Sequence, residues 1–87
     1  MLPALTLEML SKADCSLCDT AKATLEKVLR DYPGVSLTMT DIETDAGLFE
    51  QYKEKIPVLR INGEDRFVYK VHETTLRKNL DQLMKDA

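Results

Sequence analysis

Asp14-Cys15-Ser16-Leu17-Cys18-Asp19 is the stretch on which the reading of this chain turns. It holds the only two cysteines, separated by two residues. Before it, Leu5-Thr6-Leu7-Glu8-Met9-Leu10 places apolar residues at odd positions and at Leu10, which predicts a strand over about 5–10. Ser11 to Asp14 then form a loop. After it, Ala21, Leu25, Val28, Leu29 and Tyr32 make an apolar stripe of helical spacing, predicting a helix that runs to about Tyr32, where Pro33-Gly34 stops it. The cysteines therefore sit where a strand hands over to a helix N-terminus. Unpaired N–H groups and the positive end of the helix dipole favour an anion there, so a thiol in the first turn ionises more readily. The thiolate is the reactive form, and the pair reads as a reversible dithiol/disulfide.

Further along, Val35-Ser36-Leu37-Thr38-Met39 alternates like a second strand, and a strand–helix–strand unit of this length implies a right-handed crossover with parallel strands. Asp41-Ile42-Glu43-Thr44-Asp45 turns the chain. Thr44 or Asp45 is placed to cap a short helix carrying Leu48, Phe49 and Tyr52. Ile56-Pro57 opens a third strand, Val58 to Ile61, and Asn62-Gly63 is a strong hairpin signal because both residues tolerate positive φ. The returning strand is expected over about Arg66 to Lys70, with Phe67 and Tyr69 on one face and Val68 on the other. His72-Glu73-Thr74-Thr75 leads into a last helix with Leu76, Leu80, Leu83 and Met84 on one stripe. By spacing, Phe49, Tyr52, Phe67 and Tyr69 all read as core or half-core aromatics. The order is βαβαββα, an α/β domain spanning residues 1–87.

Composition narrows the function. The chain is 44% hydrophobic and 31% charged, ordinary for a globular domain. A net charge of −3 without a basic cluster gives no electrostatic reason for nucleic acid as a partner. No apolar run approaches the roughly 18 residues of a membrane span. Met1-Leu2-Pro3-Ala4-Leu5 lacks the charged and long apolar regions of a signal peptide, so a cytoplasmic protein is expected, and separately a monomer. In a reducing compartment such a cysteine pair is catalytic or metal-binding before it is structural.

The order of elements, with Lys12-Ala13-Asp14-Cys15-Ser16-Leu17-Cys18 after the first strand and Ile56-Pro57 opening the third, resembles the glutaredoxin branch of the thioredoxin fold over nearly the whole chain. The match is to Lys-x-x-Cys-x-x-Cys and to Val-Pro, and is strongest with small bacterial glutaredoxin-like proteins carrying Cys-x-Leu-Cys-Asp and Ile-Pro-Val. The resemblance implies a four-stranded mixed sheet flanked by helices, a cis peptide before Pro57, and an Ile56 backbone presented to a bound peptide strand. It also implies disulfide reduction through a mixed disulfide, with a protein disulfide or glutathione as partner and no bound cofactor. Two features depart from the glutaredoxin pattern: the Gly-Gly before the last helix, which helps hold glutathione's γ-glutamyl end, is replaced by Val71-His72, and Pro-Tyr between the cysteines is Ser16-Leu17. The thioredoxin Trp-Cys-Gly-Pro-Cys is also missing, since the chain has no Trp.

The candidate catalytic residues are thus Cys15, at the exposed start of the helix and expected to attack, and Cys18, one turn in and expected to resolve. Lys12, Ile56 and Pro57 are candidate substrate contacts, although Lys12 reads equally well as a solvated lysine. His72 is read as a helix-start residue and Asp41, Glu43 and Asp45 as turn and capping residues. The alternative is a non-catalytic module whose cysteines hold zinc or an iron–sulfur cluster shared between two chains. A closed zinc site needs four ligands, and only His72 joins the cysteines without recourse to carboxylates. A third reading is an interaction domain with a vestigial pair.

Overall fold

A computed structural model describes residues 5–85. The elements are β1 (Leu5–Ser11), α1 (Ser16–Leu29), β2 (Val35–Asp41), a single 3-10 turn (Ile42–Thr44), α2 (Ala46–Tyr52), β3 (Val58–Ile61), β4 (Glu64–Val68) and α3 (Glu73–Lys85). The four strands form one mixed sheet in the order β2-β1-β3-β4. β1 and β2 run parallel in register Leu5↔Val35 to Ser11↔Asp41, as a right-handed crossover through α1 requires, while β3 is antiparallel to both β1 and β4. Three helices flank this sheet, which is the thioredoxin-like architecture.

The alternation in β1 translates directly into burial. Leu5, Leu7 and Met9 enter the core with the α1 stripe Ala21, Leu25 and Val28 and with Leu76 and Leu80 of α3. Leu83 and Met84 extend the α3 stripe at half-burial. Where α1 and α3 lie together, Tyr32 Oη donates to Asp81 Oδ1 at 2.6 Å, Lys27 pairs with Glu73 and Arg77 with Asp31. The helix α1 ends earlier than its stripe predicts. Asp31 N–H bonds to Val28 O and Tyr32 N–H to Leu29 O, so the chain tightens into i→i−3 turns and Tyr32 packs on the core from beyond the helix.

The other face of the sheet carries charge. Glu8 of β1, Arg60 of β3 and Asp65 of β4 meet Tyr52 of α2 there. Arg60 donates to Glu8 at 3.3 Å, to Asp65 at 3.0 Å and to the Tyr52 hydroxyl at 2.6 Å, and that hydroxyl donates on to Asp65 at 3.0 Å. Thr40 Oγ1 of β2 closes the row on Glu8 at 2.7 Å. Tyr52 foremost, then Asp65 and Glu8, raise the Arg60 pKa above its ordinary value. The network ties α2 to all four strands, and the described residues contain no buried polar side-chain atom without a partner.

Asn62 and Gly63 both take positive φ, 51° and 84°, as the hairpin turn demands. Asn62 also anchors the turn to β1, its N–H donating to Thr6 O and its Oδ1 accepting from Thr6 N–H. Asp45, rather than Thr44, caps α2, accepting from Leu48 N–H at 3.1 Å, and Asp41 accepts from Glu43 N–H at 2.8 Å, the capping duties expected of these acids. The returning strand corrects the sequence reading. β4 spans Glu64–Val68, with an irregularity opposite Leu59/Arg60, and ends before Tyr69. Tyr69 turns out of the ladder at φ 71° and is 52% exposed, so it does not share a buried face with Phe67.

Candidate active site

The β1–α1 junction is made by a break in backbone conformation at two residues. Asp14 adopts φ 55°, a left-handed value that Asp tolerates better than most residues, and Cys15 returns to extended φ −121°, ψ 101° as the N-cap of α1. A residue in that position points its side chain at the unpaired amides of the first turn. Cys15 does so with sulfur, its Sγ accepting from Cys18 N–H at 3.1 Å. Its own carbonyl accepts from Asp19 N–H at 3.1 Å, starting the helix. In the reduced protein the same N–H and the helix dipole favour negative charge on Cys15 sulfur, and the carboxylates of Asp14 and Asp19, close in sequence, oppose it.

The two sulfurs are joined as a disulfide, with the α-carbons 5.2 Å apart, inside the bridgeable range. The two ends of the bond differ in access. Cys18 is 4% exposed and belongs to the core, whereas Cys15 is only half-buried. Leu17, between them, is 55% exposed.

Register brings a second segment to this end of the sheet. Leu10 lies opposite Val58, so Ile56-Pro57 sits level with the strand-to-helix junction that carries Cys15. The Ile56-Pro57 bond is cis. Both side chains are buried, so only backbone is offered there. Pro57 O is already engaged by Tyr69 N–H at 2.8 Å, while the Ile56 peptide groups make no hydrogen bond to other described residues. Lys12 is exposed and carries no ion pair among the described residues. His72 lies against Phe67, ring centroids 6.3 Å apart, rather than being tied to the cysteines by any hydrogen bond. Among the described residues no group of three or more His, Cys, Asp or Glu side chains is gathered closely enough to hold a metal.

Three residues that line a cleft with Leu17 escaped the sequence reading as site residues. Tyr69, Lys70 and Val71, in the connection from β4 to α3, face Leu17, Thr20, Ala21 and Thr24 of α1 across an open cleft of about 250 Å³. The absent Gly-Gly had drawn attention to Val71-His72, but nothing in the local pattern distinguished Tyr69 from a strand residue.

The family model of the glutaredoxin-like domain (DUF836) matches residues 6–81. The chain belongs to this glutaredoxin-like family. Among solved structures, that of the structural genomics target protein XcR50 from X. campestris is similar at 27% identity in its solution form, covering 94% of this chain and 95% of that one with a TM-score of 0.69. Its X-ray structure gives 26% identity, 87% and 96% coverage and a TM-score of 0.65. Thioredoxin from Trypanosoma brucei brucei shares the fold at a TM-score of 0.69 and 21% identity, over 95% of this chain and 77% of that one. A glutaredoxin-like thioredoxin fold with a bridged Cys-x-x-Cys at a helix N-terminus is a redox-type site. Among the described residues, no helix is long and apolar enough to cross a membrane.

Proposed function

We propose that this protein is a thiol–disulfide oxidoreductase that reduces protein disulfides by a dithiol mechanism. The observation that carries the proposal is the asymmetric pair at the start of α1, with Cys15 accessible and its sulfur on Cys18 N–H, and Cys18 buried one turn inward. In the reduced protein the Cys15 thiolate attacks one sulfur of a substrate disulfide. A Cys15–substrate bond forms, the substrate S–S bond breaks, and the departing thiolate takes a proton from water. The Cys18 thiolate then attacks Cys15 sulfur and releases the second substrate thiol, which is protonated in turn. The substrate gains two electrons and two protons, and the chain is left as the Cys15–Cys18 disulfide. A small thiol such as glutathione, or a dithiol reductase, returns the electrons, so no resident cofactor is needed.

Lys12 and the Ile56 backbone are the proposed contacts for the substrate. The open Ile56 peptide groups support strand-like pairing with an extended polypeptide. Val71-His72 in place of glycines makes glutathione the poorer partner, because a Cβ at these positions limits how closely a ligand approaches the main chain.

Trapping tests the roles. Cys18→Ser should accumulate a mixed disulfide on Cys15 when offered an oxidised peptide, whereas Cys15→Ser should accumulate none, as read by mass spectrometry without reductant. Equal trapping by both variants would overturn the assignment. Failure of the reduced wild-type chain to reduce any disulfide would overturn the function.

A further inference from the structure

The cleft that begins at Leu17 is built mainly from carbon, although two of its residues are threonines. Thr20 Oγ1 donates to Ser16 O at 3.1 Å and Thr24 Oγ1 to Thr20 O at 3.2 Å, so both hydroxyl protons are committed to α1's own backbone. Opposite stands Tyr69, an exposed aromatic held on three sides. Its φ is left-handed, its N–H is bonded to Pro57 O, and its hydroxyl donates to Glu54 O at 2.9 Å. Left-handed backbone is uncommon at a residue as bulky as tyrosine, and the bonds to Pro57 and Glu54 hold it there. An exposed ring that is already fixed loses little entropy when something packs on it, which is what gives rigid aromatics their value as anchors.

Size and charge specify the occupant. A cavity of about 150 Å³ accepts a benzene-sized guest, so about 250 Å³ receives one aromatic or large aliphatic side chain. Lys70 is the one charged residue in the cleft wall, is exposed, and has no ion pair among the described residues. The walls offer little to a zwitterion, which needs several donors and acceptors. They complement an apolar side chain with a carboxylate beside it.

We infer that the Leu17–Tyr69 cleft is a specificity pocket for the protein substrate, taking a large apolar side chain next to the substrate's disulfide cysteine, with Lys70 pairing an acidic residue adjacent to it. This rests on the oxidoreductase reading and names its substrate class. Leu17 lies two residues from Cys15, so their α-carbons are no more than about 7.6 Å apart, a separation that two or three extended substrate residues at about 3.3 Å each span.

The test uses the full chain, pre-reduced and desalted, in single turnover against two peptides with the same internal disulfide. One carries Phe-Asp beside the cysteine and the other Ser-Asn. Acid quench, alkylation and mass spectrometry give the rate of chain oxidation by each. The wild type should favour the Phe-Asp peptide by about tenfold, which corresponds to burying roughly half to all of one such side chain. Leu17→Ser, at an exposed helical position, should bring the ratio of rates close to unity, and Tyr69→Ser should do the same. Lys70→Gln should lower the ratio at low salt and remove its salt dependence. Because each readout is a ratio within one protein, a general loss of rate does not affect it. Equal rates for the two peptides in the wild type, or a preference that survives both Leu17→Ser and Tyr69→Ser, would overturn the pocket and leave the oxidoreductase standing. Oxidation of the chain by neither peptide would overturn both.

Discussion

Replacing Val71 by glycine separates two things that this one side chain does. It is 5% exposed and packed in the core, and it also forms part of the cleft wall. Burying a valine contributes about 1.5–3 kcal/mol, and glycine adds roughly 0.5–1 kcal/mol of unfolded-chain entropy. Val71→Gly should therefore destabilise the domain by about 2–4 kcal/mol. In a domain of this size each kcal/mol moves Tm by roughly 4–8 °C, so the melting point should fall by roughly 10–30 °C. His72 is exposed; its ring contact with Phe67 is lost in glycine, but its backbone carbonyl, which accepts from Leu76 N–H, survives the change. His72→Gly should cost under about 1 kcal/mol. Thermal unfolding by circular dichroism on the oxidised proteins reads both. The functional half is measured well below either Tm, with a glutathione mixed disulfide as substrate. Opening the main chain at 71–72 should raise turnover about tenfold in the double variant, the effect of one recovered charge-assisted hydrogen bond of about 1.5 kcal/mol. A Val71→Gly loss below about 1 kcal/mol would refute the packing argument. An unchanged glutathione rate in a folded double variant would refute the steric explanation of substrate choice.

Two further perturbations probe the frame that holds the site. Arg60→Met leaves Glu8 and Asp65 without their shared cation on a partly buried face and should cost roughly 1–3 kcal/mol in urea unfolding; adding Asp65→Asn should recover part of it, and simple additivity would argue against a coupled network. Hydrogen bonds from Lys27 and then Arg77 hold the Glu73 pKa below its ordinary value. Its contribution to stability is therefore present above the unfolded carboxylate range and is lost as pH falls through the folded value. Glu73→Gln should flatten that acid limb of the Tm–pH profile by lowering the Tm near neutral pH slightly, by about a degree for so solvated a group, while leaving the Tm at the acid end of the limb unchanged.

Much of this fold is local and was legible as such. Strand alternation in Leu5–Leu10, the α1 and α3 stripes and Asn62-Gly63 each express a period or a φ preference that neighbouring residues satisfy among themselves. The candidate catalytic pair was equally legible, because a cysteine at a helix N-cap is defined by the strand before it and the stripe after it. The limits of local reading appear at Tyr69. Alternation continues smoothly from Phe67 to Tyr69, yet the ladder ends at Val68, and Tyr69 is turned outward by bonds to Pro57 and Glu54. Its exposure depends on partners 12 and 15 residues away in sequence, which no period of two or 3.6 records.

By itself, then, the sequence determined that a dithiol would stand at a β-to-α junction of a βαβαββα chain, since each of those elements follows from residues close together. The tertiary structure alone decided what surrounds it. Pairing β3 with β1 brought Ile56-Pro57 level with the cysteine junction and put Arg60 on Glu8 across a separation of 52 residues. Docking the β4–α3 connection beside α1 made a cleft from Leu17 and Tyr69, residues that belong to no common motif. Strand register and helix docking are fixed by burial summed over the whole core, so the surfaces they bring together belong to the fold and not to any segment of it.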